Sequence, residues 1–213
     1  MLLISAKNIK KYYGDRLIID LPELSVFESD RIGIVGINGA GKTTLVGLLT
    51  GNILPDSGTV DIRCSYSYIS QLDDPEIKTI SPELASKLNI PEAYSETMSG
   101  GEKTRFKLAI VMQNNNPLIV ADEPTSNLDI EGIGELEKSL KEYKGGLIII
   151  SHDRRLLDSC CNSIIEIEDG RIERYDGNYT RFIEQREERK RRQLFEYQQY
   201  KREKERLQSA IVQ

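Results

Sequence analysis

With 213 residues and 24.2 kDa the chain can bury a sizeable core in one domain and still carry an appendage. A hydrophobic share of 38%, a mean hydropathy of −0.43 and apolar runs of only a few residues exclude a helix of the roughly 20 apolar residues that a bilayer needs. The net charge of −5 is unevenly spread: residues 181–213 carry ten Lys or Arg against six Glu, a surplus of +4 that leaves −9 on residues 1–180.

The first residues, MLLISAKNIKKYYGD, lack the long apolar core and small-residue cleavage site of a secretory signal, so secretion is not expected. Residues 2–9 and 16–27 alternate or run apolar around a polar turn at 10–15, which predicts two early strands in a hairpin-like layer. Tyr12 and Tyr13 fall in that turn, where an aromatic ring can stack on a nucleobase or simply close a strand end.

Residues 31–51, RIGIVGINGAGKTTLVGLLTG, organise the rest. A short apolar run suited to a buried strand passes into the glycine-rich turn Gly36, Ile37, Asn38, Gly39, Ala40, Gly41, Lys42, Thr43, and Thr44 opens a stretch with helical apolar spacing. Strand, glycine-rich loop and helix together make a phosphate cradle. Backbone N–H groups close around the anion, the helix points its positive end at it, Lys42 adds a charge and the Thr43 hydroxyl is a ligand for Mg2+.

Further along, residues 59–63 and 66–70 read as strands, with Gln71 directly after the second. Residues 72–98 form a small helical insert, opened by Ser81 and Pro82 and stopped by Pro91. Ser99, Gly100, Gly101 and Glu102 then begin a helix in which Phe106, Ala109, Ile110 and Gln113 share a face; their exposed N–H groups and the Ser99 hydroxyl make a second candidate phosphate contact. The apolar run 118–121 finishes in Asp122 and Glu123, two carboxylates pointing different ways, one able to hold Mg2+ through water and the other to face a terminal phosphate. The next helix steps through Ile130, Ile133, Leu136, Leu140 and Tyr143. Strand 147–150 ends at His152, the single histidine of the chain, placed where open α/β sheets hold their ligands.

Residues 163–167 and 171–175 form a terminal hairpin. Cys64 is remote from the adjacent Cys160 and Cys161, a pattern without metal-ligand spacing or a disulfide framework, as expected of packing thiols in a reducing cytoplasm. From Asn178 to Gln213 there is neither Gly nor Pro, and thirty-six such residues predict a rod about 54 Å long with a narrow stripe of Phe182, Ile183, Leu194, Tyr197, Leu207 and Ile211. Its basic surplus suits a polyanionic partner; a solvated charged helix accounts for the charge equally well.

Taken together these motifs resemble the ATP-binding cassette of ABC proteins over residues 1–175: GINGAGKTT as Walker A, Gln71 as the Q-loop glutamine, SGGE as the signature, LIVADE as Walker B, SNLD as the D-loop and His152 as the switch histidine. The resemblance implies an α/β P-loop NTPase fold with a parallel core sheet, an antiparallel β layer, a short helical subdomain at about 72–116 and a C-terminal extended helix, divided as a cassette at 1–177 and a linker helix at 178–213. It implies ATP and Mg2+ as ligands, with Tyr13 stacking on adenine, Gly36, Asn38, Gly39, Ala40, Gly41, Lys42, Thr43 and Thr44 around the phosphates, and Thr43, Gln71 and Asp122 organising the metal. Glu123 then serves as the base for hydrolysis to ADP and phosphate, assisted by His152 and Gln71. Ser99, Gly100, Gly101 and Glu102 complete the site of a second cassette. Glu102 in the signature, the sequence YDGNYTRF and the long charged helix are similar to the N-terminal cassette of an ABC-F protein, which implies a cytoplasmic ribosome or rRNA partner, in translation or in antibiotic resistance by ribosome protection, and a chain that is one part of a two-cassette protein. A transporter ATPase subunit and a nucleotide-gated clamp with slow hydrolysis are the competing implications.

Overall fold

The computed structural model describes residues 1–69, 78–126 and 128–211. Strands β1 (Leu2–Tyr13), β2 (Arg16–Phe27), β3 (Arg31–Val35), β4 (Ser57–Ile62), β5 (Tyr66–Ile69), β6 (Leu118–Asp122), β7 (Gly146–Ile150), β8 (Ser163–Glu168) and β9 (Arg171–Asp176) join in one sheet, ordered β4-β1-β2-β9-β8-β3-β7-β6-β5. The run β8-β3-β7-β6-β5 is parallel, as strands buried on both faces are. The β4-β1-β2 end and the β8-β9 hairpin are antiparallel, and the two parts meet through one parallel pairing of Asp20 with Arg171.

Alternation along the core strands sorts the apolar side chains into two clusters. Leu118 and Val120 of β6, with Ile148 and Ile150 of β7, face helix α1 (Lys42–Leu49) and the antiparallel layer. Ile119 and Ala121, with Leu147 and Ile149, face the opposite cluster, to which α3 (Gly100–Asn114), α4 (Ile130–Glu142), α5 (Arg154–Cys160) and the start of α6 (Tyr179–Ile211) contribute. Short α2 (Pro82–Lys87), capped by Ser81, packs there with Ile80, Leu88 and Ile90. The Gln113 carboxamide accepts the Ser81 N–H at 2.9 Å and ties α2 to α3.

Several boundaries depart from the sequence expectation. β1 continues to Tyr13, so the hairpin turn is Gly14–Asp15 rather than 10–15; Lys10 to Tyr13 pair with β2 through a register shift at Lys11/Tyr12. Asp56 supports the extension by accepting the Tyr12 N–H and pairing with Lys11 at 3.0 Å. α2 stops after Lys87, short of Pro91. Ile130, counted above on the apolar face of α4, is 91% exposed, because it directly follows the Asp129 cap and precedes the turn that packs; Leu136 and Leu140 are buried. Among the described residues no helix is long and apolar enough to cross a membrane.

Candidate nucleotide site

The carboxyl ends of β3, β6 and β7 converge on a cleft of about 930 Å3 lined by Tyr13, Asn38, Gly39, Gly41, Lys42, Thr43, Thr44, Asp122, Glu123 and His152. Gly36 and Ala40 shape the loop from beneath. A Cβ on Gly36 would meet the Ile167 carbonyl at 2.7 Å, and Ala40 N–H closes a turn on Ile37 O at 3.1 Å. Gly41 is the N-cap of α1 in the left-handed region (φ 105), where a Cβ would also strike Ile18 Cγ2 at 2.8 Å. Only glycine lets this turn pass so close to β2.

Lys42 Nζ donates to Gly36 O at 2.9 Å and to Ile37 O at 3.2 Å, so the ammonium is held over the loop mouth. Thr43 Oγ1 donates to Asp122 Oδ2 at 3.3 Å, joining the first turn of α1 to the end of β6. Among the described residues no three His, Cys, Asp or Glu side chains form a metal cage. Thr43 and Asp122 are instead hard oxygen donors of the kind that serve a magnesium taking its other ligands from phosphates and water.

Glu123 adopts φ 47, uncommon for a residue with a side chain, and its N–H donates to Ile150 O at 2.8 Å. Glu123 and Asp122 both line the cleft. Glu123 Oε1 is buried without a hydrogen-bond partner, while Oε2 accepts the His152 N–H at 3.4 Å. The His152 ring is 62% exposed and Glu123 23%, so the ring stands at the rim and the carboxylate deeper.

Ser99, Gly100, Gly101 and Glu102 do not line this cleft; they begin α3 elsewhere on the surface. There they form a reciprocal cap: the Glu102 N–H reaches Ser99 Oγ at 3.3 Å, and Glu102 Oε2 accepts both the Ser99 N–H and its hydroxyl at 2.8 Å. The Ser99 N–H bond, followed by the hydroxyl, holds the Glu102 carboxyl below its ordinary range. Gln71 and Asn127 lie outside the described residues. The cleft also takes in Ser126, the first residue of SNLD, and Arg16, Ile18 and Ile150, which no motif names. Arg16 could have been found from the hairpin, since it pairs directly with Tyr13 and shares its face.

A glycine-rich loop between a buried parallel strand and a helix, with a carboxylate pair at a neighbouring strand end, defines a P-loop nucleotide-binding cassette. A family model described as ABC transporter matches residues 20–126, and a second with the same description matches residues 165–213, so the chain belongs to the ABC transporter family, as an ATP-binding cassette of it. The erythromycin resistance ATP-binding protein MsrA of Staphylococcus epidermidis is 40% identical over 189 residues, covering 87% of this chain and 39% of its own. The energy-dependent translational throttle protein EttA of Escherichia coli (strain K12) is 34% identical over 210 residues, covering 85% and 38%. The chain thus spans about two fifths of the length of these relatives. Among solved structures, the ATP-binding subunit of an ABC transporter superposes with TM-score 0.71 at 20% identity over 82% of this chain and 90% of its own. A dimeric ATP-binding cassette bound to ADP and Pi gives 0.70 at 20% over 82% and 98%. At these identities the superpositions bear on the fold alone.

Proposed function

We propose that the chain binds ATP with Mg2+ and hydrolyses it to ADP and phosphate, as one cassette of a two-cassette ABC-F protein that acts on the ribosome. The observation that carries the catalytic part is Glu123 on the wall of the cleft that the phosphate loop and Asp122 also line, its Oε1 buried without a hydrogen-bond partner and 3.5 Å from His152 Nε2. Lys42 and the loop amides hold the β- and γ-phosphates, and Tyr13 at the cleft mouth stacks on the base. Thr43, Asp122 and Gln71 hold the magnesium, which when bound neutralises charge developing on the phosphates. Glu123 takes a proton from water as the water oxygen bonds to the γ-phosphorus and the bond to the bridging oxygen breaks, releasing ADP. His152, on the rim, orients that water or bonds the departing phosphate. Ser99 and the Gly100 and Gly101 N–H groups close the equivalent site on a second cassette. The ribosomal role rests on the names of the relatives and on the long α6, which resembles the first arm of an ABC-F linker.

The test is equilibrium binding of a fluorescent ATP analogue, followed by co-sedimentation of the chain with ribosomes or with membranes. Lys42→Ala should weaken nucleotide binding about tenfold or more, because it removes a charge-assisted contact. Unchanged affinity would overturn the site, and pelleting with membranes alone would favour a transporter subunit over the ribosomal role.

A further inference from the structure

β5 holds two tyrosines at alternate positions, and both turn toward α1. Tyr66 Oη donates to Thr50 O at 3.2 Å and so reaches the C-terminal end of that helix. Tyr68 Oη donates to Asp122 Oδ2 at 3.3 Å, at the helix's N-terminal end, where Thr43 donates to the same oxygen. The parallel register explains the reach: Tyr68 pairs with Val120, and Asp122 lies two residues further on the same face of β6. Asp122 Oδ2 therefore carries two hydroxyl donors, while Oδ1 accepts no hydrogen bond from any described residue.

We propose that Tyr68 is a positioning residue for the metal: its phenol fixes the Asp122 carboxylate so that Oδ1 presents to the water shell of a nucleotide-bound divalent cation. The inference rests on the nucleotide site proposed above. A carboxylate with one oxygen tethered has lost its freedom to rotate, so the free oxygen is already aimed before the cation arrives. When Thr43 turns its hydroxyl toward the metal, the phenol is the donor that remains on Oδ2. Partners of this kind around a metal ligand are worth about 10–100-fold in affinity.

Tyr68→Phe keeps the ring and its packing and deletes one oxygen. The measurement is Mn2+ affinity in the presence of a non-hydrolysable ATP analogue, read from the electron paramagnetic resonance signal of free Mn2+. We expect about a tenfold loss, with the affinity for the same analogue in EDTA and the melting temperature both unchanged. Tyr66→Phe, which removes the hydroxyl at the other end of α1, should leave Mn2+ affinity as in the wild type. Equal Mn2+ affinity in Tyr68→Phe and wild type overturns the proposal. So does a matching loss of nucleotide affinity in EDTA, or an equal effect of Tyr66→Phe, since either reports a general loosening of the strand. If the wild type binds the analogue but no Mn2+, this inference fails alone; if it binds neither, the site reading fails with it.

Discussion

Glu123 Oε1 and His152 Nε2 stand 3.5 Å apart, although 29 positions separate the two residues in the chain. The pairing of Asp122 with Ile150 sets the ends of β6 and β7 level, so the residues that follow each strand meet. At that spacing the two side chains can share one water.

Glu123→Gln keeps the shape and the His152 N–H acceptor but removes the base. Phosphate release should fall about 10²–10⁴-fold while ATP stays bound. A turnover close to wild type, measured alongside retained nucleotide fluorescence, would refute Glu123 as base.

Separation of the Ser99 cap from the phosphate cleft leads to a complementation test. Lys42→Ala and Ser99→Arg should each abolish hydrolysis in homodimers. In a mixture, one site of the heterodimer collects both lesions and the other pairs an intact Lys42 with an intact Ser99, so part of the activity should return. A dead mixture from a wild type active at high concentration would count against a site shared between chains.

Glu166 ties α6 to the sheet: its Oε1 lies 2.6 Å from Arg186 Nε, and Tyr175 Oη donates to its Oε2 at 3.3 Å. Burial pushes the Glu166 carboxyl above its ordinary range, partly offset by Arg186. A carboxyl raised on folding keeps its proton longer in the native state than in the unfolded chain. Its contribution to stability is therefore complete below the ordinary glutamate value and is lost as pH rises through the raised one. Glu166→Gln cannot titrate. As pH rises above the ordinary glutamate range, its melting temperature should move upward relative to wild type; a pH-independent difference would refute the shift.

The basic run of α6 is already partly engaged. Arg189 pairs with Glu173, Arg191 with Glu187 and Arg192 with Glu188. Reversing Arg189 would undo the docking of the helix, so the informative variant reverses Lys190, Arg191 and Arg192 together. If these residues touch rRNA, binding of wild type should weaken steeply with salt and the variant should show a flatter slope, because fewer counterions are released. Equal slopes, with ATP binding intact in both, would leave the run as a solvated helix face.

The phosphate loop, the carboxylate pair and His152 were legible because their chemistry is written in contiguous residues. The path of β1 was less so: Lys10 and Lys11 read as a turn, and only the distant Asp56 shows why they continue the strand. Ser99 and Glu102 carry two messages in four letters, a phosphate contact and a helix cap, and the pattern alone does not rank them. Glu166 reads as one polar letter in SIIEIE, since its partner Arg186 lies on another element. Tyr68 belongs to the same class. A tyrosine in a strand looks like packing until β6 supplies Asp122 beside it.

Among the described residues the anchoring of α6 is confined to its first turns. Phe182 is 2% exposed against Tyr175, with ring centroids 5.0 Å apart, and Arg186 and Arg189 follow on the carboxylates, whereas residues 191–200 are all exposed. The helix is thus a lever clamped at one end. Its fulcrum is β8, whose Glu166 lies in register with Val35, the residue before the phosphate loop. From Arg189 to Ile211 the arm measures about 33 Å, so a tilt of about 10° at the clamp carries its far end by about 6 Å, close to one helical pitch. A small tilt at the clamp is thereby magnified along the exposed arm.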